Sequence, residues 1–266
     1  TGQGIANARV FAFHDDHPLE RRDPDQDTLT CLTTADGSFA IAGVPAGPMS
    51  LAVHHPGHAI AFDGPFDTPA GTVTTRTLLV PTGATVRGTA VDLQGTPIVG
   101  MKLVREGAVA HGLQVPADTA ITDDAGHFEF RGLSTASYWI HGVHTLPDAS
   151  LLLLARAVDV RSDVDCDLNL APSGRGALRL TPTMDGNEAM PQRLSLHIYQ
   201  PKDPTVGRFF ESIPGQATVL RGLPTGDYEV SLSATDQQRV CSGYAPITIT
   251  ANALSEGNIT LRSRAR

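Results

Sequence analysis

Cysteine, lysine and aromatic residues are scarce in this 266-residue chain, and it has no long apolar run. The three cysteines, Cys31, Cys166 and Cys241, are too few and too far apart to indicate a disulfide framework. No apolar run approaches the roughly 18–20 residues that a membrane helix requires, so we expect no membrane insertion by this segment. The net charge of −8 argues against nucleic acid as a general partner, because binding to phosphates relies on an excess of basic residues.

The apolar content is nevertheless sufficient for packed cores. Hydrophobic residues make up 41% of the chain and charged residues 18%, which disfavours intrinsic disorder. Tyr228, Val230 and Leu232 alternate with polar neighbours, the period of two that is typical of a half-buried strand. No segment shows a sustained helical period, and turn signals recur throughout the chain. The sequence therefore predicts an all-β protein.

A repeat with a period of about 90 residues is the strongest feature of the sequence. The motif that starts at Gly43 recurs at Gly132 and Gly222, at separations of 89 and 90 residues. This period suits a β-sandwich of roughly 100 residues and is too long for a solenoid. We therefore predict three Greek-key β-sandwiches, arranged as separate beads with short linkers: module 1 (residues 1–81), module 2 (82–172) and module 3 (173–266).

Modules 2 and 3 each open with a predicted strand, at 85–92 and 176–181. In module 2 this strand precedes the stretch Gly95 to Met101, and the matching stretch of module 1 already begins at Gly2. We therefore expect module 1 to lack its first strand, which would precede residue 1, and the chain to be a piece of a longer protein.

The motifs of the repeat resemble the carboxypeptidase regulatory-like domain. The residues that carry this resemblance are Gly2, Ile5, Ala8, Val10, the turn at 34–39 and the stretch at 43–47. The resemblance covers the whole chain as three copies and is weakest in module 3. It implies a transthyretin-like sandwich of about seven strands, related to starch-binding-like folds. It also implies non-catalytic modules of exported or surface proteins, sometimes fused to peptidases, transporters or glycan-active enzymes.

Two clusters are weak candidates for metal ligands. His54, His55 and His58 could hold a transition metal, but Pro56 and Gly57 favour a hairpin tip whose histidines do not converge. A second cluster has the spacing of a calcium loop without its glycine and distal glutamate, which favours a solvated loop. It consists of Asp23, Asp25 and Asp27. We therefore expect no metal and no cofactor.

His17 and Glu20 match the His-x-x-Glu zinc pair of metallocarboxypeptidases. The match is short, and it lies in a charged loop with no predicted helix or strand to fix it. No acid, base and nucleophile are grouped elsewhere, so we assign no catalytic residue and predict that the chain is not an enzyme. An accessory region of a secreted metallopeptidase is a distant alternative.

Trp139 and His141 are the candidate ligand-binding residues. Alternation places both on the side of their strand opposite to Tyr138 and Ile140, on a face that is polar at the matching positions Ser50 and Glu229. An exposed tryptophan there could stack on a sugar or anchor a partner. The alternative is burial of Trp139 against a neighbouring module.

The sequence thus supports two functions. One is a spacer, scaffold or protein-interaction array in a larger extracellular, surface or periplasmic protein, with other domains of that protein as partners. The other is an array of carbohydrate-binding modules with a glycan ligand. A single tryptophan and 5% aromatic residues disfavour a strong sugar binder.

Overall fold

The computed structural model describes residues 2–14, 29–107, 109–110, 113–114, 117–161, 164–186, 188–201, 209–235 and 239–265. Every regular element in these ranges is a β-strand. The predicted all-β class is therefore confirmed.

Module 1 contains one antiparallel sheet of four strands in the order β2-β1-β3-β4. Its strands are β1 (Arg9–His14), β2 (Thr30–Leu32), β3 (Gly47–His54) and β4 (Ala61–Thr68).

Module 2 contains two sheets, β10-β5-β13 and β9-β6-β11-β12, and a small hairpin of β7 and β8. Its strands are β5 (Ala84–Ala90), β6 (Lys102–Glu106), β7 (Val109–Ala110), β8 (Leu113–Gln114), β9 (Asp118–Ile121), β10 (His127–Leu133), β11 (Ala136–Thr145), β12 (Leu151–Val160) and β13 (Cys166–Leu170).

Module 3 repeats both arrangements as β17-β14-β20 and β16-β15-β18-β19, and pairing of β19 with β20 joins the two. Its strands are β14 (Gly176–Met184), β15 (Arg193–Tyr199), β16 (Phe209–Pro214), β17 (Thr218–Leu223), β18 (Gly226–Thr235), β19 (Arg239–Ile249) and β20 (Leu254–Ala265).

The opening strand is central in the three-stranded sheets of modules 2 and 3. β5 pairs antiparallel with β10 and parallel with β13, and β14 makes the same two kinds of pairing with β17 and β20. Apart from the β7-β8 hairpin of module 2, the two sheets of each of these modules have seven strands, the number that the resemblance implies. The proposed boundaries at 81/82 and 172/173 remain a prediction.

The predicted arrangement as separate beads is wrong, because the outer face of one module's sheet packs against the next module. Phe11, Phe13, Ala52 and Ile60 belong to the same buried cluster as the core residues of module 2. These side chains point away from module 1's own core, which alternate residues such as Val10 fill. Both faces of this sheet therefore carry apolar side chains. One face is buried in module 1's own core and the other against module 2.

Modules 2 and 3 are joined in a similar way and also share backbone hydrogen bonds. β12 pairs in parallel with β17, with Leu151 opposite Leu220, which creates a continuous sheet of eleven strands among the described residues. Leu153 and Ala155 of β12 belong to the core cluster of module 3. The sequence alternation did not reveal that this second face is covered.

A polar link lies beside this strand pairing. The Arg221 guanidinium donates to Asp148 Oδ2 and to Ser150 Oγ, each at 2.9 Å. Hydrogen bonds from the Ser150 hydroxyl and backbone, and then from Arg221, lower the pKa of Asp148 to about 2. The link thus depends on an ionised carboxylate.

We expect Asp148 to stabilise the protein only above acidic pH. Its pKa is lower in the folded chain than in the unfolded chain, so its contribution is complete above about pH 4 and is lost as the pH falls towards about 2. Thermal unfolding of the wild type and Asp148→Asn between pH 7 and pH 2 tests this. The two melting temperatures should converge at the acidic end, and a constant difference would contradict the prediction.

Buried tyrosines brace the turns that precede β11 and β18. The Tyr138 hydroxyl donates to the Ser134 carbonyl at 3.1 Å, and the Tyr228 hydroxyl donates to the Pro224 carbonyl at 3.0 Å. Both are tyrosine corners, in which a buried side chain satisfies a backbone carbonyl four residues upstream. Module 1 has methionine at the matching position, and there the Thr68 hydroxyl donates to the Pro45 carbonyl at 2.7 Å.

We expect Tyr138→Phe and Tyr228→Phe each to lower the free energy of unfolding by about 1–2 kcal/mol, because a carbonyl that is buried at Ser134 and half-buried at Pro224 loses its donor. Denaturant titration of the full chain measures the effect. Tyr244→Phe is the matched control, since this ring is 57% exposed and water can replace its hydrogen bond. Equal effects at all three positions would show that the corners contribute no specific stability.

Candidate functional site

Trp139 lies on the predicted side of its strand. Tyr138 and Ile140 are buried in the core of module 2, whereas Trp139 packs, partly buried, against the core cluster of module 3. The strand register inferred from the repeat is therefore confirmed. Contact with a neighbouring module, the alternative role considered for Trp139, agrees with this packing.

The expectation that this face is wet is wrong for His141. Its side chain is 3% exposed, and Nε2 lies 3.3 Å from Glu106 Oε1. The face is covered because module 3 packs against it, a contact that the isolated strand pattern does not encode. Ligand binding by Trp139 and His141 stays a prediction, and their burial favours a role in the module interface.

His54, His55 and His58 do not form one metal-binding group. His55 Nδ1 and His58 Nδ1 are 3.1 Å apart, with ring centroids separated by 5.0 Å. Burial, followed by the charges of Arg105 and Arg9, lowers the pKa of His54. Across the part of the chain that the structure describes, no three His, Cys, Asp or Glu side chains form a metal-binding group.

The remaining candidate ligands cannot be placed. Asp23, Asp25, Asp27, His17 and Glu20 all lie outside the described residues. The expected absence of a metal therefore stays a prediction.

A shallow, open depression of about 950 Å³ lies on the three-stranded sheet of module 2. Two of the side chains that line it form local ion pairs: Arg87 with Asp165, and His127 with Asp123 at 3.4 Å. Such exposed pairs are worth little energetically, and water competes for both partners. The depression therefore lacks the desolvated charge that a catalytic acid or base requires.

A more distinctive surface lies on the outer side of module 3's four-stranded sheet. We call it the tyrosine face and define it by His197, Tyr199, Glu229, Ser231 and Tyr244. Strand pairing places Tyr199 beside Glu229, and Ser231 between His197 and Tyr244. In modules 1 and 2 the corresponding surface is buried against the next module.

The tyrosine face combines flat rings with a carboxylate. The rings of His197 and Tyr199 are stacked, with centroids 5.4 Å apart and an interplanar angle of 26°. Tyr244 is 57% exposed, and its hydroxyl donates to the Glu229 carboxylate. Partial desolvation, and then the Glu229 charge, raise the pKa of Tyr244. The phenol therefore remains a neutral donor beside an acceptor, a combination suited to polar, ring-shaped ligands.

Sequence reasoning correctly placed Glu229 and Ser231 on the outer side of β18 but missed the two tyrosines. Tyr199 and Tyr244 lie on β15 and β19, and only the pairing register brings them next to Glu229. Alternation in β15 could have indicated one of them. Leu196 and Ile198 face inward, so Tyr199 lies at an outward position.

None of the described residues forms a helix with the length and hydropathy needed to cross a bilayer.

No protein-family model matches the chain, and no curated protein matches it. Solved structures with some likeness include the minor pilin of Streptococcus agalactiae, with 14% identity, 68% of this chain and 96% of that chain covered, and a TM-score of 0.29. A streptococcal ancillary pilin has 14% identity, coverage of 100% and 94%, and a TM-score of 0.27. The Bacillus anthracis TIE protein has 14% identity, coverage of 97% and 52%, and a TM-score of 0.27. With TM-scores this low, the likenesses assign neither family nor role, and the carboxypeptidase regulatory-like assignment stays a prediction.

Proposed function

We propose that the chain is a non-catalytic scaffold segment of a larger exported or surface protein, built from tandem modules of the carboxypeptidase regulatory-like type. The observation that carries the proposal is the use of outer sheet faces as module contacts. Phe11 and Phe13 insert into the core cluster of module 2, and Leu153 into that of module 3. Modules joined through cores and strand pairing hold attached domains at a fixed separation, as a spacer must.

The state of the acidic groups agrees with a structural role. Asp36 and Asp148 have pKa values of about 2, in each case because hydroxyl and backbone groups of the same turn donate to the carboxylate. A general acid or base needs a pKa near the working pH, so these carboxylates suit turn formation better than proton transfer.

Small-angle X-ray scattering of the full chain tests the scaffold proposal. We expect one maximum dimension that does not change between low and high salt, because apolar contacts and backbone hydrogen bonds join the modules. Leu153→Asp, which places a charge in the core of module 3, should broaden the distance distribution. A wild-type distribution as broad as that of a flexible string of beads would contradict the proposal.

The tyrosine face favours carbohydrate binding as a second candidate function. Its aromatic rings can stack on the apolar face of a sugar, while Glu229 and Ser231 can exchange hydrogen bonds with hydroxyl groups. A glycan array should then show retention that Tyr244→Ala and Tyr199→Ala abolish. Val73→Ala, at a 94% exposed apolar residue of module 1, is the matched control. Retention of no glycan by the wild type would leave the scaffold function alone.

A further inference from the structure

Two carboxylates lie on the same side of β18, at one end of the tyrosine face. Asp227 and Glu229 are two residues apart, and both lie on the side opposite to the buried Tyr228 and Val230. Residues i and i+2 of a strand share a face and are about 7 Å apart. The outer side of this sheet is therefore acidic next to its aromatic rings.

Neutral hydroxyl groups hold these carboxylates in place. The Thr248 hydroxyl donates to Asp227 Oδ1 at 2.8 Å, and the Tyr244 hydroxyl donates to Glu229. Both donors are uncharged, so these hydrogen bonds do not cancel the negative charge of the carboxylates. A carboxylate offers about four lone-pair sites, so each can accept further donors.

Aromatic rings lie on both sides of Glu229. Tyr199 is directly opposite Glu229 in the register of β15 and β18, and its ring stacks on His197. Tyr244 lies on β19, the other neighbour of β18, opposite Ser231. Neighbouring strands are about 4.8 Å apart, so a ligand bound at the carboxylate also reaches ring surfaces.

The fold itself does not require these side chains. In the repeat, Trp139 of module 2 corresponds to Glu229 and Ala155 corresponds to Tyr244. Both residues of module 2 pack against the core cluster of module 3. The same sheet is therefore built without a carboxylate or a tyrosine at these positions, which leaves both groups available for another role.

This combination of charge and flat rings selects among carbohydrates. A neutral sugar can stack on the rings, but it offers no positive charge to Glu229. An acidic sugar places a like charge beside Glu229 and is repelled. An amino sugar with a protonated amino group forms charge-assisted hydrogen bonds with a carboxylate, and aromatic faces attract the same cation.

We propose that the end of the tyrosine face around Glu229 binds amino sugars whose amino group is not acylated, as in polymers of glucosamine. This proposal rests on the second candidate function, carbohydrate binding at the tyrosine face. Glu229 accepts hydrogen bonds from the ammonium group, and the rings of Tyr199 and Tyr244 contact the sugar. Asp227 adds a second negative charge for the ammonium group of a neighbouring sugar unit.

Calorimetric titration of the full chain with a glucosamine tetramer and with an N-acetylglucosamine tetramer tests the proposal. The titration is done at pH 6, where the amino groups of the first oligomer are protonated. We expect the wild type to bind the glucosamine tetramer at least about tenfold more tightly, as one charge-assisted hydrogen bond allows. Glu229→Gln should remove this preference and leave the affinity for the acetylated tetramer unchanged.

Glu256→Gln is the matched control, because it makes the same charge change elsewhere in module 3. Glu256 lies on β20, its side chain is 52% exposed, and it pairs with Arg179 at 3.0 Å. We expect it to change the affinity for the glucosamine tetramer by less than about twofold, since an exposed pair contributes little. An equal loss in both variants would show that net charge alone attracts the ligand, and would overturn the proposal.

The other outcomes distinguish this proposal from the carbohydrate-binding function. Equal affinity of the wild type for both tetramers would overturn the selection of amino sugars and leave carbohydrate binding intact. Binding of neither tetramer, nor of any glycan on an array, would overturn both. Equally tight binding of a lysine tetramer would show that the face recognises a cation without the sugar ring, which also contradicts the proposal.

Discussion

Gly132→Ala should destabilise the protein by roughly 2–5 kcal/mol, the largest effect that we expect from a single methyl group. Gly132 has φ +68°, and a Cβ there would lie 2.2 Å from the backbone of Gly57 and His58 in module 1. A left-handed backbone costs an L-residue about 1–2 kcal/mol. Overpacking adds about 1–3 kcal/mol, because the clash is with backbone that cannot turn aside. Denaturant unfolding of the full chain measures the loss.

Gly43→Ala is the matched control for this prediction. Gly43 occupies the same motif position in module 1 and has φ +74°, but a Cβ there would meet no atom within 4 Å. We expect it to cost only the backbone term, about 1–2 kcal/mol. The difference between the two variants isolates the approach of module 1 to module 2. Similar losses would show that the contact between the modules is not tight in solution.

Trp139→Ala should cost about 3 kcal/mol, because it removes a large ring from the contact between modules 2 and 3. An exposed side chain, as ligand binding by Trp139 would require, would give a much smaller loss. The packing of Trp139 against the cluster that includes Leu153 and Leu178 predicts the larger loss. Scanning calorimetry should show lower transition temperatures for both modules, since the ring belongs to one module and contacts the core of the other.

Tyr244→Ala serves as the comparison for Trp139→Ala. It removes an aromatic ring from the outer face of the corresponding sheet in module 3, where the side chain is 57% exposed. We expect a change below about 1 kcal/mol, in the range of ordinary surface substitutions. A loss at Trp139 no larger than at Tyr244 would mean that modules 2 and 3 do not pack through this face.

The sequence was sufficient for the parts of the fold that local pattern determines. Alternation identified Tyr138, Ile140 and Tyr228 as core residues, and the repeat gave the inner side of each matching strand. It failed where a second layer covers the outer side. Ser50 and His141 were expected on a wet face, yet both are buried, because burial by another module leaves no periodic mark on one strand.

The candidate site was missed for a related reason. Glu229 was placed correctly, but its neighbours Tyr199 and Tyr244 come from strands 30 residues before it and 15 residues after it along the chain. Only strand register determines which side chains become neighbours across a sheet. The single tryptophan of the chain, Trp139, stands out in the sequence because it is rare. The exposed aromatic surface consists instead of tyrosine and histidine, which are commoner in this chain.

The head-to-tail contact between modules has an evolutionary consequence. Each module presents a different surface to its predecessor and to its successor, so the contact is heterologous and does not close on itself. A gene that duplicates one such unit can lengthen the array and reuse an existing contact.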